Sequence, residues 1–151
     1  MITLKETVLH TAISRKRAVV DDFNQRIKDA IANDGNVNEE EYDNQKKAFE
    51  AQLLSEVNLL TEQLKIAERD LADLQKIDVK ASESDVVGFG NIVKTDQRTF
   101  FVSTGIEDFV VNGQTITGIS VHSPVYHAMQ GKRVDEKFTQ SGISYTIREI
   151  L

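Results

Sequence analysis

The positions of the apolar residues divide the chain into two halves with different periods. In the first half they recur at steps of three, four or seven, and Glu, Gln, Lys and Asp fill most positions between them. The first stripe consists of Leu9, Ile13, Val20, Phe23, Ile27 and Ala30. The second consists of Phe49, Leu53, Leu60, Leu64, Ala67, Leu71 and Leu74, with Val57 beside it. This spacing predicts two long helices, each with the narrow apolar seam of a coiled coil.

The connection between the two stripes is short and contains Gly35, so we expect the helices to fold back antiparallel. Lys16 interrupts the first stripe, where its aliphatic stem can cover the seam. An arm of about 30 helical residues would span roughly 45 Å. Such a hairpin is too thin to enclose a pocket. It suits an oligomer seam, a docking rod or a probe that carries its tip to a partner.

The second half alternates in the manner of β-strands and holds seven of the eight glycines and the single proline. Strands are predicted at residues 85–95, 98–104 and 115–123, and a terminal hairpin at 136–150 turns at the sequence Gln-Ser-Gly. A short helix is predicted at 123–133, with Ser123 as N-cap, Pro124 at the first helical position and Gly131 as the stop.

These patterns predict an α+β protein with two parts. Residues 1–78 form an N-terminal antiparallel α-helical coiled-coil hairpin, with an acidic tip near 33–43. Residues 79–151 form a small, mainly antiparallel sheet domain with one short helix, and a polar connector at 78–85 marks the boundary.

Composition narrows the function classes. The net charge of −6 disfavours a generally basic nucleic-acid binder, so we do not expect DNA binding by the protein itself. The absence of cysteine excludes disulfides and thiolate metal sites. No stretch has the length of a membrane span, and the N-terminus lacks the apolar core of a signal peptide. We therefore expect a cytoplasmic protein without a membrane partner.

The predicted bend between the helices is crowded with carboxylates, namely Asp34, Glu39, Glu40, Glu41 and Asp43. One interpretation is local: Asn38 caps the second helix with Glu41 three residues later, and the helix dipole favours acids in the first turn. The other is functional, since acids at a solvated tip can hold Mg²⁺ through one or two oxygens while a partner completes the site. The spacing alone leaves both open.

A resemblance to a known family enters through residues 119–136, ISVHSPVYHAMQGKRVDE. They resemble the C-terminal signature of the bacterial transcript cleavage factors GreA and GreB. The matching positions are Ser120, Ser123, Pro124, Val125, Ala128, Met129, Asp135 and Glu136. Tyr126 stands where a small residue is usual and Gln130 where an apolar one is. Phe89-Gly90 and the closing YTIREI also look like that family, as does the order of hairpin, connector and small FKBP-like sheet domain.

The resemblance implies an accessory factor and not an enzyme in its own right. The partner is RNA polymerase: the C-terminal domain, through Ser123, Pro124 and Val125, docks at the rim of the secondary channel. The hairpin threads inward toward the RNA 3′ end, which it affects indirectly. Acids at the tip act in trans by helping to retain the second catalytic Mg²⁺, so that a backtracked polymerase cleaves its own RNA. No cofactor of the factor's own is implied.

The tip departs from the family pattern. Here it reads GNVNEEEY, in which Glu39 matches the functional glutamate and Asn36 replaces the functional aspartate. Asparagine offers a carbonyl oxygen without charge and holds Mg²⁺ more weakly. Asp34 or Glu40 can compensate if the loop is shifted. The alternative to cleavage stimulation is therefore a Gre-like regulator or inhibitor that occupies the channel without that activity.

Other candidate chemistry is weaker. His10, His122 and His127 are too scattered for a metal triad, and Ser123 lacks the surroundings of a nucleophile elbow. The basic cluster at residues 14–17 fits either a solvated helix surface or a contact near RNA. A further alternative, a prolyl isomerase or chaperone, rests on the FKBP-like domain alone.

Overall fold

The computed structural model describes residues 2–32, 43–80 and 85–151. Two long helices come first, and a short helix lies among the strands that follow. The helices are α1 (Leu4–Ala32), α2 (Asp43–Gln75) and α3 (Pro124–Met129). The strands are β1 (Ile92–Thr95), β2 (Thr99–Ser103), β3 (Ile106–Val111), β4 (Gln114–Ser120), β5 (Lys137–Gln140) and β6 (Ile143–Ile150). The expected fold class is confirmed: a helical pair precedes a small sheet with one short helix.

The chain divides into two compact units. One, the globular unit, comprises Met1–Arg15 and Ala72–Leu151, and the other, the helical unit, comprises Lys16–Leu71. Both long helices thus contribute residues to each unit. Among the described residues, no helix has a stretch that is long and apolar enough to cross a membrane.

In the helical unit the two helices run antiparallel. Lys16 of α1 forms an ion pair with Asp70 of α2 at 3.3 Å, and Ala30 shares a groove with Leu53, so rising numbers on one helix meet falling numbers on the other. Members of the predicted stripes form the seam, whereas Leu9, Ile13 and Leu74 of those stripes belong to the core of the globular unit. The most buried members of the seam in the helical unit are Ala30, Leu60 and Ala67.

In the globular unit the strands form one sheet in the order β3-β4-β2-β1-β6-β5. Strands β2 and β4 pair in parallel, and the other pairings described are antiparallel. The predicted terminal hairpin is β5 and β6, whose two-residue turn places Ser141 and Gly142 at φ of 53° and 77°. Positive φ at both central residues matches the turn that the twist of a hairpin requires.

Successive strand residues face opposite sides of this sheet, and both sides are covered. On one face Ile92 and Phe101 pack against Val8, Ala12 and Leu74 from the beginning of α1 and the end of α2. On the other face the core includes Val93, Phe100, Val102, Tyr126, Met129, Phe138 and Tyr145, so α3 covers that side. The sheet therefore lies between two helical layers within the unit.

The structure differs from the sequence analysis in three strands. Strand β1 begins only at Ile92, β4 ends at Ser120, and β3 was not predicted. Gly118 of β4 faces β3 so closely that an added Cβ would lie 2.7 Å from the Ile106 Cβ and 2.9 Å from the Thr104 carbonyl oxygen. The mid-strand glycine is therefore required by this close approach.

Candidate functional site

Except for Asp43, where α2 begins, the acidic tip lies outside the described residues. This applies to the predicted site residues Asp34, Asn36, Glu39 and Glu40. It applies equally to Gly35 of the predicted connection and to the predicted cap, Asn38 and Glu41. Among the described residues, no group of three or more histidine, aspartate or glutamate side chains is arranged to hold a metal ion. Neither the magnesium interpretation nor the capping interpretation is tested by this finding.

The predicted docking residues Ser123, Pro124 and Val125 lie at the start of α3, directly after β4. The Ser123 hydroxyl donates to the Ser120 carbonyl at 2.6 Å and accepts from the Tyr126 amide at 3.3 Å. This confirms Ser123 as the N-cap and Pro124 in the first helical turn. Val125 packs against the core, whereas Pro124 is exposed.

The first serine of the signature also supports the turn. The Ser120 hydroxyl accepts from the His122 amide at 3.1 Å, while the Ser120 carbonyl accepts from the Ser123 amide at 3.0 Å as well as from its hydroxyl. Two side chains and three backbone groups thus close a tight strand-to-helix turn. These hydrogen bonds fix the start of α3, where Pro124 is exposed.

The apolar positions of the signature are core positions. Met129 is fully buried, and Ala128 packs against the same cluster. Tyr126, which stands where a small residue is usual, is buried in the cluster that also contains Phe138 and Tyr145. The tyrosine that replaces the usual small residue therefore packs inside the globular unit and not on its surface.

The other residues singled out in the sequence are Ser123, the histidines and the basic cluster at residues 14–17, and the structure gives none of them a catalytic partner among the described residues. The Ser123 hydroxyl bonds to backbone, and His122 and His127 are exposed, so the structure places no base beside a nucleophile at this turn. In the basic cluster, the Arg15 guanidinium lies 5.8 Å from the ring centre of Phe109 within the globular unit. Lys16 forms its ion pair in the helical unit. Two of the three basic side chains of the cluster therefore have partners within the protein.

Sequence reasoning missed a second surface of the globular unit. It is formed by Arg133 and Val134, which follow α3, and by Arg148 of β6, around a groove with a volume of about 380 Å³. A signal was present in the sequence. The alternation of Tyr145 and Ile147 breaks before Ile150, which indicates one extra residue in the strand.

No protein-family model matches the sequence, and no curated protein matches it. Among solved structures, the chain is similar to the crystal structure of GreA factor homolog 1 (Gfh1) protein of Thermus thermophilus. The TM-score is 0.35 and the identity 16%, over 96% of this chain and 93% of that chain. It is also similar to a structure of the transcription factor Gfh1, with a TM-score of 0.34 and 15% identity over 95% of this chain and 91% of that chain. Similarity at this level assigns no function.

Proposed function

We propose that the chain is a Gre-type transcription elongation factor that binds RNA polymerase at its secondary channel and stimulates the polymerase's cleavage of backtracked RNA. The observation that carries this proposal is the local structure of the signature at residues 119–136. Its serines form the turn, its apolar residues form the core, and Pro124 is held at the surface. An antiparallel helical pair of the kind that the proposal needs accompanies it.

In this proposal, binding to the polymerase and action on its active centre belong to different parts of the chain. The globular unit anchors the factor through the Pro124 turn. The hairpin delivers Glu39 and its neighbours to the active centre, where they act only with the polymerase. The factor is accordingly an accessory protein and not an enzyme by itself.

Glu39 would share a Mg²⁺ with the polymerase, together with the Asn36 carbonyl oxygen and either Asp34 or Glu40. The donor set fits such an ion, because Mg²⁺ prefers oxygen ligands and is held by few protein groups while water and substrate supply the rest. When bound, the ion would favour the attacking water or the leaving oxygen in RNA hydrolysis. The contribution of the chain is added negative charge and a neutral acceptor at the tip.

A second candidate function is favoured by one specific residue. Asn36 is uncharged and stands at the position of the functional aspartate in the family that the chain resembles. With weaker Mg²⁺ retention, the same protein would occupy the channel and regulate or inhibit the polymerase without stimulating cleavage.

The prolyl isomerase or chaperone alternative is less well supported. An isomerase needs aromatic side chains around an open pocket. In the globular unit, Phe138 stacks on Tyr145 with ring centres 4.9 Å apart, and Phe100 meets the edge of Tyr145 at 5.6 Å. These three rings fill the core and are not available to line a pocket.

The test is to add the protein to a stalled, backtracked polymerase complex with Mg²⁺ and to follow RNA length on a gel. Cleavage stimulation predicts shortened RNA, and Glu39→Ala should suppress it about tenfold or more, as expected for loss of a positioned catalytic group. Glu68→Ala, an exposed acid on α2, is the matched control and should leave the cleavage rate unchanged.

Asn36→Asp separates the two candidate functions. If the missing charge limits Mg²⁺ retention, this substitution should raise the cleavage rate. Binding without shortened RNA would support the channel occupant instead. Failure to bind the polymerase would contradict both.

A further inference from the structure

The groove that sequence analysis missed combines cationic and apolar groups at the surface of the globular unit. We call it the arginine groove. It is lined by Asp85, Arg133, Val134, Arg148, Glu149, Ile150 and Leu151. Both arginines are exposed, and Val134 retains 44% of its accessible surface. An exposed aliphatic side chain in a groove that is also lined by two arginines is typical of protein contact surfaces, where arginine is enriched.

Backbone hydrogen bonds hold the two sides of this groove together. The Asp135 amide donates to the Ile147 carbonyl at 2.8 Å, and the Ile147 amide donates to the Glu136 carbonyl at 3.0 Å. The loop that carries Arg133 is thereby fixed beside the strand residue that precedes Arg148. The Arg133 amide also donates to the Glu136 carboxylate at 3.1 Å, which closes the loop on itself.

A positive φ shows that this loop has a constrained conformation. Asp135 has φ of 74°, which an L-residue other than glycine adopts at a cost. The two hydrogen bonds to Ile147 stabilise the conformation of the loop that presents Arg133 and Val134. A rigid surface loses less conformational entropy when a ligand binds.

A β-bulge determines the position of the second arginine. Opposite β1, Ile147 pairs with Thr95 and Glu149 pairs with Lys94, so Arg148 is the extra residue. A bulge redirects side chains and often occurs beside functional sites. Without it, strand alternation would give Ile150 the other face of the sheet, although Ile150 belongs to the same core cluster as Ile147.

The charges of the groove are unequally balanced. Glu149 forms an ion pair with Lys94 at 3.3 Å, so part of its charge is already compensated. Within the described ranges 2–32, 43–80 and 85–151, neither Arg133 nor Arg148 has an ion pair. Asp85 is the other carboxylate of the groove. The groove therefore contains two arginines, one exposed aliphatic side chain and two carboxylates, of which Glu149 is already paired with Lys94.

We propose that the arginine groove binds an acidic peptide segment of a partner protein, with carboxylates on Arg133 and Arg148 and an aliphatic side chain against Val134. Guanidinium groups bind carboxylates through paired hydrogen bonds. A nucleic-acid strand fits less well, because a continuous row of phosphates would meet the carboxylates of Asp85 and Glu149. A peptide can place an amide or a basic side chain there. This proposal is independent of the polymerase proposal.

The test uses fluorescence anisotropy with the 151-residue chain and a labelled short peptide in which glutamate and leucine alternate and one central position is glutamine. We expect saturable binding that weakens with added salt. Arg133→Gln and Arg148→Gln should each weaken it about three- to fivefold, and the double variant about tenfold or more, the range for partly exposed charge pairs. Val134→Ala should weaken it about twofold or more.

Matched controls come from the same unit. Arg98→Gln removes an exposed arginine of the β1–β2 turn, and Val110→Ala trims an exposed valine of β3; both should leave affinity unchanged. Thermal melting of every variant checks folding. Absence of saturable binding by the wild-type protein, equal binding by the double variant, or tighter binding of a labelled oligonucleotide than of the peptide would each overturn the proposal.

Discussion

Both the globular unit and the helical unit bury apolar side chains of α1, but the first buries them against a sheet and the second against a helix. In the globular unit, α1 buries Val8 and Ala12 against a sheet whose other face is also covered. In the described part of the helical unit, α1 packs against α2. Its buried apolar residues there are few, and Lys16, with 11% of its side chain exposed, occupies a seam position.

The apolar stripe on α1 is wider in the globular unit than in the helical unit. Near its beginning the helix has a wide apolar face, made by Leu4, Val8, Leu9, Ala12 and Ile13, all within or against the sheet core. After Lys16 the apolar face narrows to a single seam, in which apolar residues recur every three or four positions. A wide stripe suits packing on a sheet, and a narrow one suits a coiled coil. Stripe width therefore indicates where along one continuous helix its packing partner changes.

The largest expected effect is loss of a ring from the centre of the sheet. Phe101→Ala removes a fully buried aromatic side chain from the face that α1 covers, and it should lower the free energy of unfolding by about 3–5 kcal/mol. Urea unfolding followed by tyrosine fluorescence measures it. Val110→Ala, at an exposed valine of β3, is the control and should change stability by about 0.5 kcal/mol or less.

Substitutions at two adjacent leucines of α2 compare how much the seam and the surface of the helical unit contribute to stability. Leu60 is 9% exposed and Leu59 61% exposed, so Leu60→Ala should cost about 2 kcal/mol and Leu59→Ala about 0.5 kcal/mol or less. Amide hydrogen exchange along residues 45–71 reports the loss locally. Equal effects of the two substitutions would show that the seam does not stabilise this unit.

The ion pair of the seam should have a smaller effect. Asp70→Ala leaves the Lys16 ammonium partly buried without this partner and should cost about 1–2 kcal/mol. Lys16→Met in the same background should restore stability, because an apolar side chain then fills the seam position. Thermal melting followed by circular dichroism measures both. If the double variant is less stable than Asp70→Ala alone, Lys16 stabilises the seam through other contacts.

Much of the fold could be predicted because its signals are local and periodic. The two seams, the Ser123 cap and the turn at Ser141 and Gly142 each depend on a few neighbouring residues, and all are present in the structure. The capping box at the start of α1, where Thr3 and Glu6 bond reciprocally, follows the same local rule.

The features that were missed depend on distant residues or on broken periods. Strand β3 carries two adjacent acids, Glu107 and Asp108, and a register shift, so its alternation is interrupted. Packing of the beginning of α1 on the sheet joins residues about a hundred positions apart. The arginine groove likewise needs Arg133 and Arg148 to be brought together by backbone bonds that no local pattern encodes.

The central functional claim is that the hairpin carries the tip to the active centre of RNA polymerase. The most direct measurement places a photo-crosslinking amino acid at Asn38 in the full-length protein and maps its crosslinks in a backtracked polymerase complex. We predict crosslinks to polymerase residues around the catalytic Mg²⁺ or to the RNA 3′ end. Crosslinks confined to the outer surface of the polymerase, with the factor bound, would contradict it.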